Sequence, residues 1–539
     1  MARSAGKNKD APPSLRNRRS AEQISDIMRQ VKSENTTPEV VFRKALWAHG
    51  LRYRLHVDSL PGKPDIVIPA RRLAIFVDGD FWHGNQWRRR GLPSLEAQFE
   101  DSPRREYWLK KIRRNMERDC KATAELTRLG WNVLRFWESD ITHHVNECAA
   151  LAAAPVSRKA QPDLPLTSDR SVAEFFAGIG LMRIGLERQG WNIVFANDID
   201  AHKKEMYDRH FRDAPEHLML GDIHELSARR VPSVALATAS FPCNDLSLAG
   251  SRGGLEGRQS SAFWGFVKVL TELGRRRPPL ILIENVPGFL TSHGGKDFES
   301  ACLALNQLGY AVDPFLIDAA RFVPQSRSRL FLVGVLGNMD DAALVLEPTD
   351  TRPKSLTEFV RSHPAVQWRV RKLPSLPKSE TVLEDIVETL PDDSLEWWAH
   401  DRAEHLLNQM SSRHRAVADA MIANPRRSYG TVFRRVRQGK TMAELRTDGV
   451  AGCLRTPRGG SGRQILFAAG QGRYQVRLLT PRECARLMGA DDYVVSGRRN
   501  QALFGFGDAV CVPVIEWIAK YYLNPLITEM LHAQLKRRT

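Results

Sequence analysis

The chain has 539 residues, 42% of them hydrophobic, and a formal net charge of +17. That length exceeds one ordinary core and predicts two or three domains, and the hydrophobic share excludes a disordered polar chain. No apolar run reaches the roughly 18 residues needed to span a bilayer, so no membrane partner is expected.

"MARSAGKNKDAPPSLRNRRS" is basic with no apolar segment after its charges, which excludes a secretory signal and predicts a disordered arm over 1–19. The next segment, 20–148, reads as a compact α/β unit. "TPEVVFRKALWAHG" has helical spacing with Gly50 as a stop, and "PDIVIP" and "RLAIFVDG" are short apolar strands joined by a tight turn. "REYWLKKIRRNMERDCKATAELTRLG" is a long polar-faced helix and "WNVLRFWE" a further strand. The Ala- and Pro-rich "ALAAAPVSRKAQPDLPLTSD" then predicts a linker over 149–170.

A second α/β series begins at Ser171. Strand "SVAEFFAG", helix "GLMRIGLERQG" and strand "WNIVFAND" start an alternation that continues to "LFLVGV" near 335. This is the pattern of a doubly wound, Rossmann-like parallel sheet. Residues 336–475 read as irregular, loop-rich and basic, with "RGGSGRQ" as a Gly-rich turn. From 476 to 539 amphipathic helices return in "RLLTPRECARLMG" and "GDAVCVPVIEWIAKYYL".

Charge and cysteine usage narrow the class. Residues 1–160 carry 30 Lys+Arg against 19 Asp+Glu, and Arg426–Arg463 carry ten against two. Two readings stand: solvated surface, or phosphate neutralisation on nucleic acid. The seven cysteines lie singly from Cys120 to Cys511 with no C-x-x-C pair. That argues against a disulfide framework or zinc cluster and for a reducing, cytoplasmic setting.

Three sets of residues carry chemistry. In "EFFAGIG", Gly178 and Gly180 allow close ligand approach, but Arg183 stands where a dinucleotide fingerprint has its third glycine. Asp198, 18 residues after Gly180, can accept from a ribose diol. This pattern suits S-adenosylmethionine better than NAD, although a Gly-rich turn is often only structural. In "TASFPCNDLS", Cys243 follows a proline at the end of a small-residue strand, where a nucleophilic thiol would be presented. "LILIENVPGF" ends a strand at Glu284 and Asn285, and "RFVPQSRSRLFLVGV" predicts Gln325, Arg327 and Arg329 on one strand face. In the first unit, Asp65 begins one strand and Asp78 ends the next. A hairpin would bring both carboxylates near a magnesium site, with Glu39 and His83 completing a hydrolytic centre; a buried salt-bridge cluster is the alternative.

The ordered set "FAGIG", "ND" at 197–198, "GDI" at 221–223, "PCNDLS", "ENV", "QSRSR", "RLLTPRE" and "GDAV" resembles DNA (cytosine-5)-methyltransferases across 171–335 and 476–525. The resemblance implies that Cys243 attacks cytosine C6, Glu284 bonds the base at N3 and its amino group, and Arg327 supports the adduct, on a base flipped from the duplex. It implies that Phe176, Gly178, Gly180, Asp198 and Asp222 hold S-adenosylmethionine, and that 336–475 is the target-recognition region. "NDLS" replaces the usual residues after the cysteine, Phe241 precedes Pro242 where another proline is frequent, and Asp508 stands where an asparagine is frequent.

"TTPEVVFRKALWAHGLRYRLHVDSLPGKPDIVIPARRLAIFVDGDFWHG", "EYWLKKIRRNMERD" and "LGWNVLRFWE" resemble very-short-patch repair (Vsr) endonucleases across 20–140. That family nicks beside thymine–guanine mismatches. The resemblance implies Asp65 as the metal-binding acid (Mg2+), His83 as the catalytic histidine, Glu39 as the supporting acid, and Phe81 and Trp82 as an aromatic wedge; core packing is the other reading of the two rings. The zinc-ligand positions fall on Asp80, Asn85, Trp87 and Ser139, a set without thiolate or imidazole, so no zinc is expected. The expected whole is a monomeric, cytoplasmic, nucleoid-associated enzyme on double-stranded DNA, with mismatch-repair proteins as partners. A restriction nuclease that cuts unmethylated sites, a methyltransferase with an inactive nuclease-like domain, and a non-catalytic DNA-binding protein are the alternatives.

Overall fold

The structure, a computed structural model, describes residues 35–90, 92, 95–129, 131–153, 170–242, 262–337, 346–437, 439–456, 463–495 and 497–538. The expected N-terminal arm, Cys243 and most of the "RGGSGRQ" turn lie outside the described residues. The chain divides into two compact units, Met1–Ala154 and Pro155–Thr539.

In the first unit four strands lie in sequence order: β1 (Arg54–Leu55), β2 (Ile66–Ile68), β3 (Leu73–Asp78) and β4 (Asn132–Trp137). β2 and β3 form the expected hairpin, with Ile66 opposite Ile75. The helix Arg105–Arg128 carries the chain across so that β4 runs parallel to β3, as a crossover connection must. Phe42, Leu46, Ile66, Ile68, Leu73, Ile75, Leu134 and Phe136 fill the core beneath the helices Thr37–Ala48 and Glu138–Ala153. The second of these helices corrects the linker boundary. It runs to Ala153, with Ala149 and Ala152 fully buried. Alanine is the best helix former, so an Ala-rich stretch with a buried face continues a helix.

The second unit is built on a seven-stranded sheet. Its strands are β5 (Ser171–Phe175), β6 (Asn192–Asp198), β7 (Leu218–Leu220), β8 (Leu236–Ala239), β9 (Leu280–Asn285), β10 (Tyr310–Asp318) and β11 (Ser328–Leu336), in the order β10-β11-β9-β8-β5-β6-β7. β5 to β9 are parallel, while β11 runs antiparallel to both β9 and β10. Only nine residues join β10 to β11, too few for a crossover. Successive residues of β5, β8 and β9 alternate between two cores, Val172, Leu236 and Leu280 on one side and Ala173, Ala237 and Ile281 on the other. Helices cover both faces, so these strands read as unbroken apolar runs.

Residues 336–475 are more regular than expected. β12 (Ser428–Arg437), β13 (Lys440–Arg446), β14 (Ile465–Gly470) and β15 (Arg473–Leu478) form an antiparallel sheet in the order β13-β12-β14-β15. Val432, Ala443, Leu445, Ile465, Phe467 and Val476 pack it against the helices His400–Asn408 and Ser412–Ala423. Arginines interrupt the apolar positions of β12 and β15, and β14 is an unbroken apolar run, so none of the three shows a clear period of two. The C-terminal helical stretch Arg499–His532 is long and apolar enough to cross a membrane by composition, contrary to the expectation from sequence, and 72% of its apolar window is buried within the unit.

Candidate active sites

The sheet order reverses between β5 and β8, and ligands in open α/β sheets bind beyond the strand ends at such a point. The cofactor residues named from sequence gather there. Phe176 and Gly178 both have φ of 58°, and Gly180, at φ 81°, caps the helix Leu181–Glu187. A side chain at Gly180 would collide with Phe211 and Tyr207, whereas the space over Gly178 is open apart from one carbonyl 4.0 Å away. The Gly178 amide donates to Asp198 Oδ2 at 2.7 Å and the Asp200 amide to Asp198 Oδ1 at 2.8 Å. Asn197 Nδ2 donates to the carbonyls of Met219 and Gly221, which sets Asp222 beside the same turn. Burial pushes the Asp198 carboxyl upward, opposed by the charge of Lys203 and the two amides. An open glycine surface beside a buried acceptor fits a ribose-bearing cofactor.

At the end of β9, Glu284 is 6% exposed. Arg329 Nε lies 3.0 Å from its Oε1. Burial raises the Glu284 carboxyl above the ordinary glutamate range, against the charges of Arg329 and Arg327. The next residue, Asn285, donates through Nδ2 to the Phe241 carbonyl at 3.2 Å. Phe241 is anchored against Phe263 and Phe289, so the backbone leading into Cys243 is fixed up to Pro242.

Arg327 is not the arginine set against Glu284. It donates to the carbonyls of Leu454 at 3.0 Å, Gly507 at 3.1 Å and Ala509 at 2.5 Å, and through NH1 to Cys453 Sγ at 3.4 Å. The strand begins only at Ser328, so Gln325 and Arg327 precede it and do not share its face with Arg329. Gln325 turns inward to the Leu487 carbonyl and the Leu454 amide.

In the first unit, Asp65 Oδ2 accepts from the Val77 amide at 2.7 Å. Burial, with the nearby charges of Glu39 and Asp78, pushes Asp65 up to about 6 despite that bond. A carboxylate held so high by burial and neighbouring acids fits a divalent cation. Glu39 closes the N-terminus of its helix by accepting from the Asn35 amide and Thr36 Oγ1, and it pairs with Arg43 at 2.7 Å. Arg43 also reaches His56 Nε2 at 3.1 Å. A guanidinium only donates, so Nε2 accepts and the His56 proton sits on Nδ1, 3.9 Å from Asp65.

His83 Nδ1 lies 2.5 Å from Asp119 Oδ2 and 3.5 Å from Asp78. Arg135 binds both oxygens of Asp78 at 2.7 and 2.6 Å and reaches Asp119 at 3.0 Å. Burial would raise Asp119, but His83 and Arg135 hold it below the usual carboxylate range. Asp78 is therefore held in an ion-pair cluster with Arg135, and its charge still acts on Asp65. Phe81 and Trp82 are half-buried in an aromatic cluster with Trp108.

Residues 170–524 match the family described as C-5 cytosine-specific DNA methylase. The chain is a member of that family. Residues 18–89 match the DNA mismatch endonuclease Vsr family. The chain is 43% identical over 128 residues to the type II nicking enzyme V.NmeDIP of Neisseria meningitidis serogroup C, covering 24% of this chain and 82% of that one, so its first unit belongs to the Vsr-like nicking enzymes. It is 26% identical over 363 residues to the type II methyltransferase M.HhaI of Haemophilus parahaemolyticus, covering 66% of this chain and 95% of the other. The solved structure of S. pombe Dnmt2 methyltransferase is similar over 66% of this chain and 98% of its own, at 19% identity and a TM-score of 0.45.

This methylase thus carries a Vsr-type unit whose zinc-ligand positions hold a different chemistry. Asp80 is 2% exposed. Its Oδ1 accepts from Asn85 Nδ2 at 2.6 Å and Ser139 Oγ at 2.8 Å, and its Oδ2 from the Ser139 amide at 3.2 Å and Arg89 at 3.5 Å. The carboxylate is fully engaged by donors, and the set offers no thiolate or imidazole, so these residues do not fit zinc. His56 and Asp119 escaped the sequence reading as site residues, and Asn285 and Arg329 were singled out there without a role or a partner. Arg329 sat in the quoted "QSRSR", and Asp119 lies on one face of the long helix, yet no spacing rule connects either to its partner.

Proposed function

We propose that the methylase half modifies cytosine in double-stranded DNA through Cys243, Glu284 and Arg329, and that the Vsr-type half nicks the mismatch left when the methylated base deaminates. The observation that supports this most is the Glu284–Arg329 ion pair, seated on the sheet edge that also carries the Gly178–Asp198 turn and the anchored approach to Cys243. In this reading the Cys243 thiolate adds to C6 of a flipped base, and the electron pair moves to C5. Glu284, raised by burial and paired with Arg329, bonds the base at N3 and its amino group as charge develops on the ring. S-adenosylmethionine supplies the methyl group, and Phe176, Gly178, Gly180, Asp198 and Asp222 would hold it. A base then takes the C5 proton, its electron pair restores the C5–C6 double bond, and Cys243 leaves as the thiolate. Arg327 braces the floor of the site, and residues 336–475 read the target.

In the nicking half, Asp65 would hold Mg2+, which would polarise the scissile phosphate. His83, oriented by Asp119, moves the proton of the attacking water, and Glu39 supports Asp65 through Arg43 and His56. The nicked product would pass to mismatch-repair proteins, and the chain would work as a cytoplasmic monomer.

The test incubates the full chain with matched, thymine–guanine mismatched and unmethylated duplexes, with and without S-adenosylmethionine. Nicking confined to mismatches together with cofactor-dependent labelling of cytosine is the expected result. Cleavage of unmethylated matched duplexes would replace the repair reading with a restriction one. Absence of all cleavage would leave a methyltransferase with a silent partner domain. Full labelling by Cys243→Ala would overturn the methylation mechanism.

A further inference from the structure

Lys203 lies on the first turn of the helix Ala201–His210, five residues past Asp198. Its ammonium donates to Asp508 Oδ2 at 2.7 Å. Asp508 ends the helix Arg499–Asp508 and is the residue of "GDAV" that stands where an asparagine is frequent. The departure therefore arrives with its own counter-charge. The Lys203 side chain is 21% exposed and that of Asp508 46%. A second bond joins the same two helices, Gln501 Nε2 to His202 Nδ1 at 2.9 Å. A Cβ added at Gly505 would lie 2.8 Å from Ile179, so the C-terminal helix rests directly on the cofactor turn.

The charges around Asp198 are mostly acidic. Asp200 follows it in the chain, Glu174, which burial pushes up to about 8, faces it from β5, Asp508 comes from the end of the helix Arg499–Asp508, and Asp222 follows Gly221, whose amide bonds the Asp198 carbonyl. Lys203 is the cation whose charge acts on Asp198, Asp200 and Asp508 together, while Glu174 is answered by Arg183 from the helix Leu181–Glu187. A buried carboxylate among acids is costly to keep charged, and a neutral carboxyl is a poorer acceptor for two hydroxyls.

We propose that Lys203 is a positioning residue for the cofactor: gripped by Asp508, it supplies the counter-charge that keeps Asp198 an acceptor for the ribose diol. The proposal rests on the cofactor reading of Asp198 given above. Asp508 tunes the effect, because it competes with Asp198 for the same ammonium.

The test is calorimetric titration of the full chain with S-adenosylmethionine from pH 5 to 8. Lys203→Met is expected to weaken binding about tenfold near pH 6 and to move the acid edge of binding upward. Asp508→Asn is expected to move that edge downward, since one competing acid is gone, and Lys203→Arg to restore it. A simple latch between helices predicts instead that the Met and Asn variants weaken binding alike with the edge unmoved, and that result overturns the proposal. If Lys203→Met does not fold, the downward shift in Asp508→Asn carries the test alone. Asp198→Asn separates the two readings. If it abolishes binding while the Lys203 and Asp508 variants behave alike, the cofactor reading stands and the Lys203 assignment falls. If it binds normally with the edge intact, both fall.

Discussion

Replacing Ser139 by alanine tests whether hydrogen bonding holds the first unit together at the positions where the resemblance implied zinc ligands. The substitution deletes the Oγ donor 2.8 Å from Asp80 Oδ1 and leaves the Asn85, Ser139 amide and Arg89 bonds in place. A hydrogen bond to a buried charge contributes about 1.5–3 kcal/mol. For a domain of this size that lowers the melting temperature by roughly 5–10 °C. Asp80→Ala goes further. It strands Asn85 and the Ser139 amide without an acceptor and costs about 3–5 kcal/mol. The assay is scanning calorimetry of the full chain with and without EDTA, following the transition that Ser139→Ala moves. That transition is expected to be unchanged by the chelator. A fall of several degrees on chelation, or bound zinc recovered at one ion per chain, would refute the reasoning, as would a Ser139→Ala protein as stable as the parent.

Arg329→Ala is expected to cut methyl transfer by about 10²–10³ with little change in stability, because it removes the charge beside Glu284. Arg327→Ala, by contrast, frees three carbonyls and is expected to lower the melting temperature, so steady-state kinetics with thermal unfolding separates the two arginines. In metal-free buffer Asp65→Asn is expected to stabilise the first unit above pH 6 while abolishing nicking. The folded state holds the Asp65 proton up to about 6 against an ordinary 3.8. Its charged form therefore costs stability increasingly as pH rises through that window, up to about 3 kcal/mol. Unfolding near pH 3, below both values, should show almost no gain, and a gain equal at about pH 3 and pH 7.5 would exclude charge as the cause. Asp119→Asn is expected to slow nicking about a hundredfold through loss of the His83 contact, measured on a mismatched duplex under single-turnover conditions.

Much of the second unit was readable because its determinants are local. The glycine turn after β5, the acid ending β6 and Glu284 ending β9 each follow from a strand that stops and a residue just beyond it. What was misread depends on contacts between distant segments. Arg327 and Arg329 are two residues apart, and only the start of β11 at Ser328 and the carbonyls of Leu454, Gly507 and Ala509 decide which one turns away from Glu284. Asp119 finds His83 across 36 residues, and Asp508 finds Lys203 across 305. The alanines before Ala153 looked like a linker because their burial depends on a helix that begins more than a hundred residues earlier. The sheet at 428–478 was hidden by arginines interleaved with its apolar positions.

The direction of β11 has a geometric consequence for the base-binding pair. Because β11 runs against β9, its beginning lies beside the end of β9, with Leu330 opposite Asn285 and Phe331 opposite Glu284. Arg329 therefore arrives at the catalytic rim from a residue at the strand's first turn outward. Had β11 been wound in parallel like its neighbours, the same arginine would start level with Leu280, about 16 Å away at the opposite rim. One reversed strand at the flank of an otherwise uniform sheet is what lets a cation and an acid from separate segments meet at one strand end.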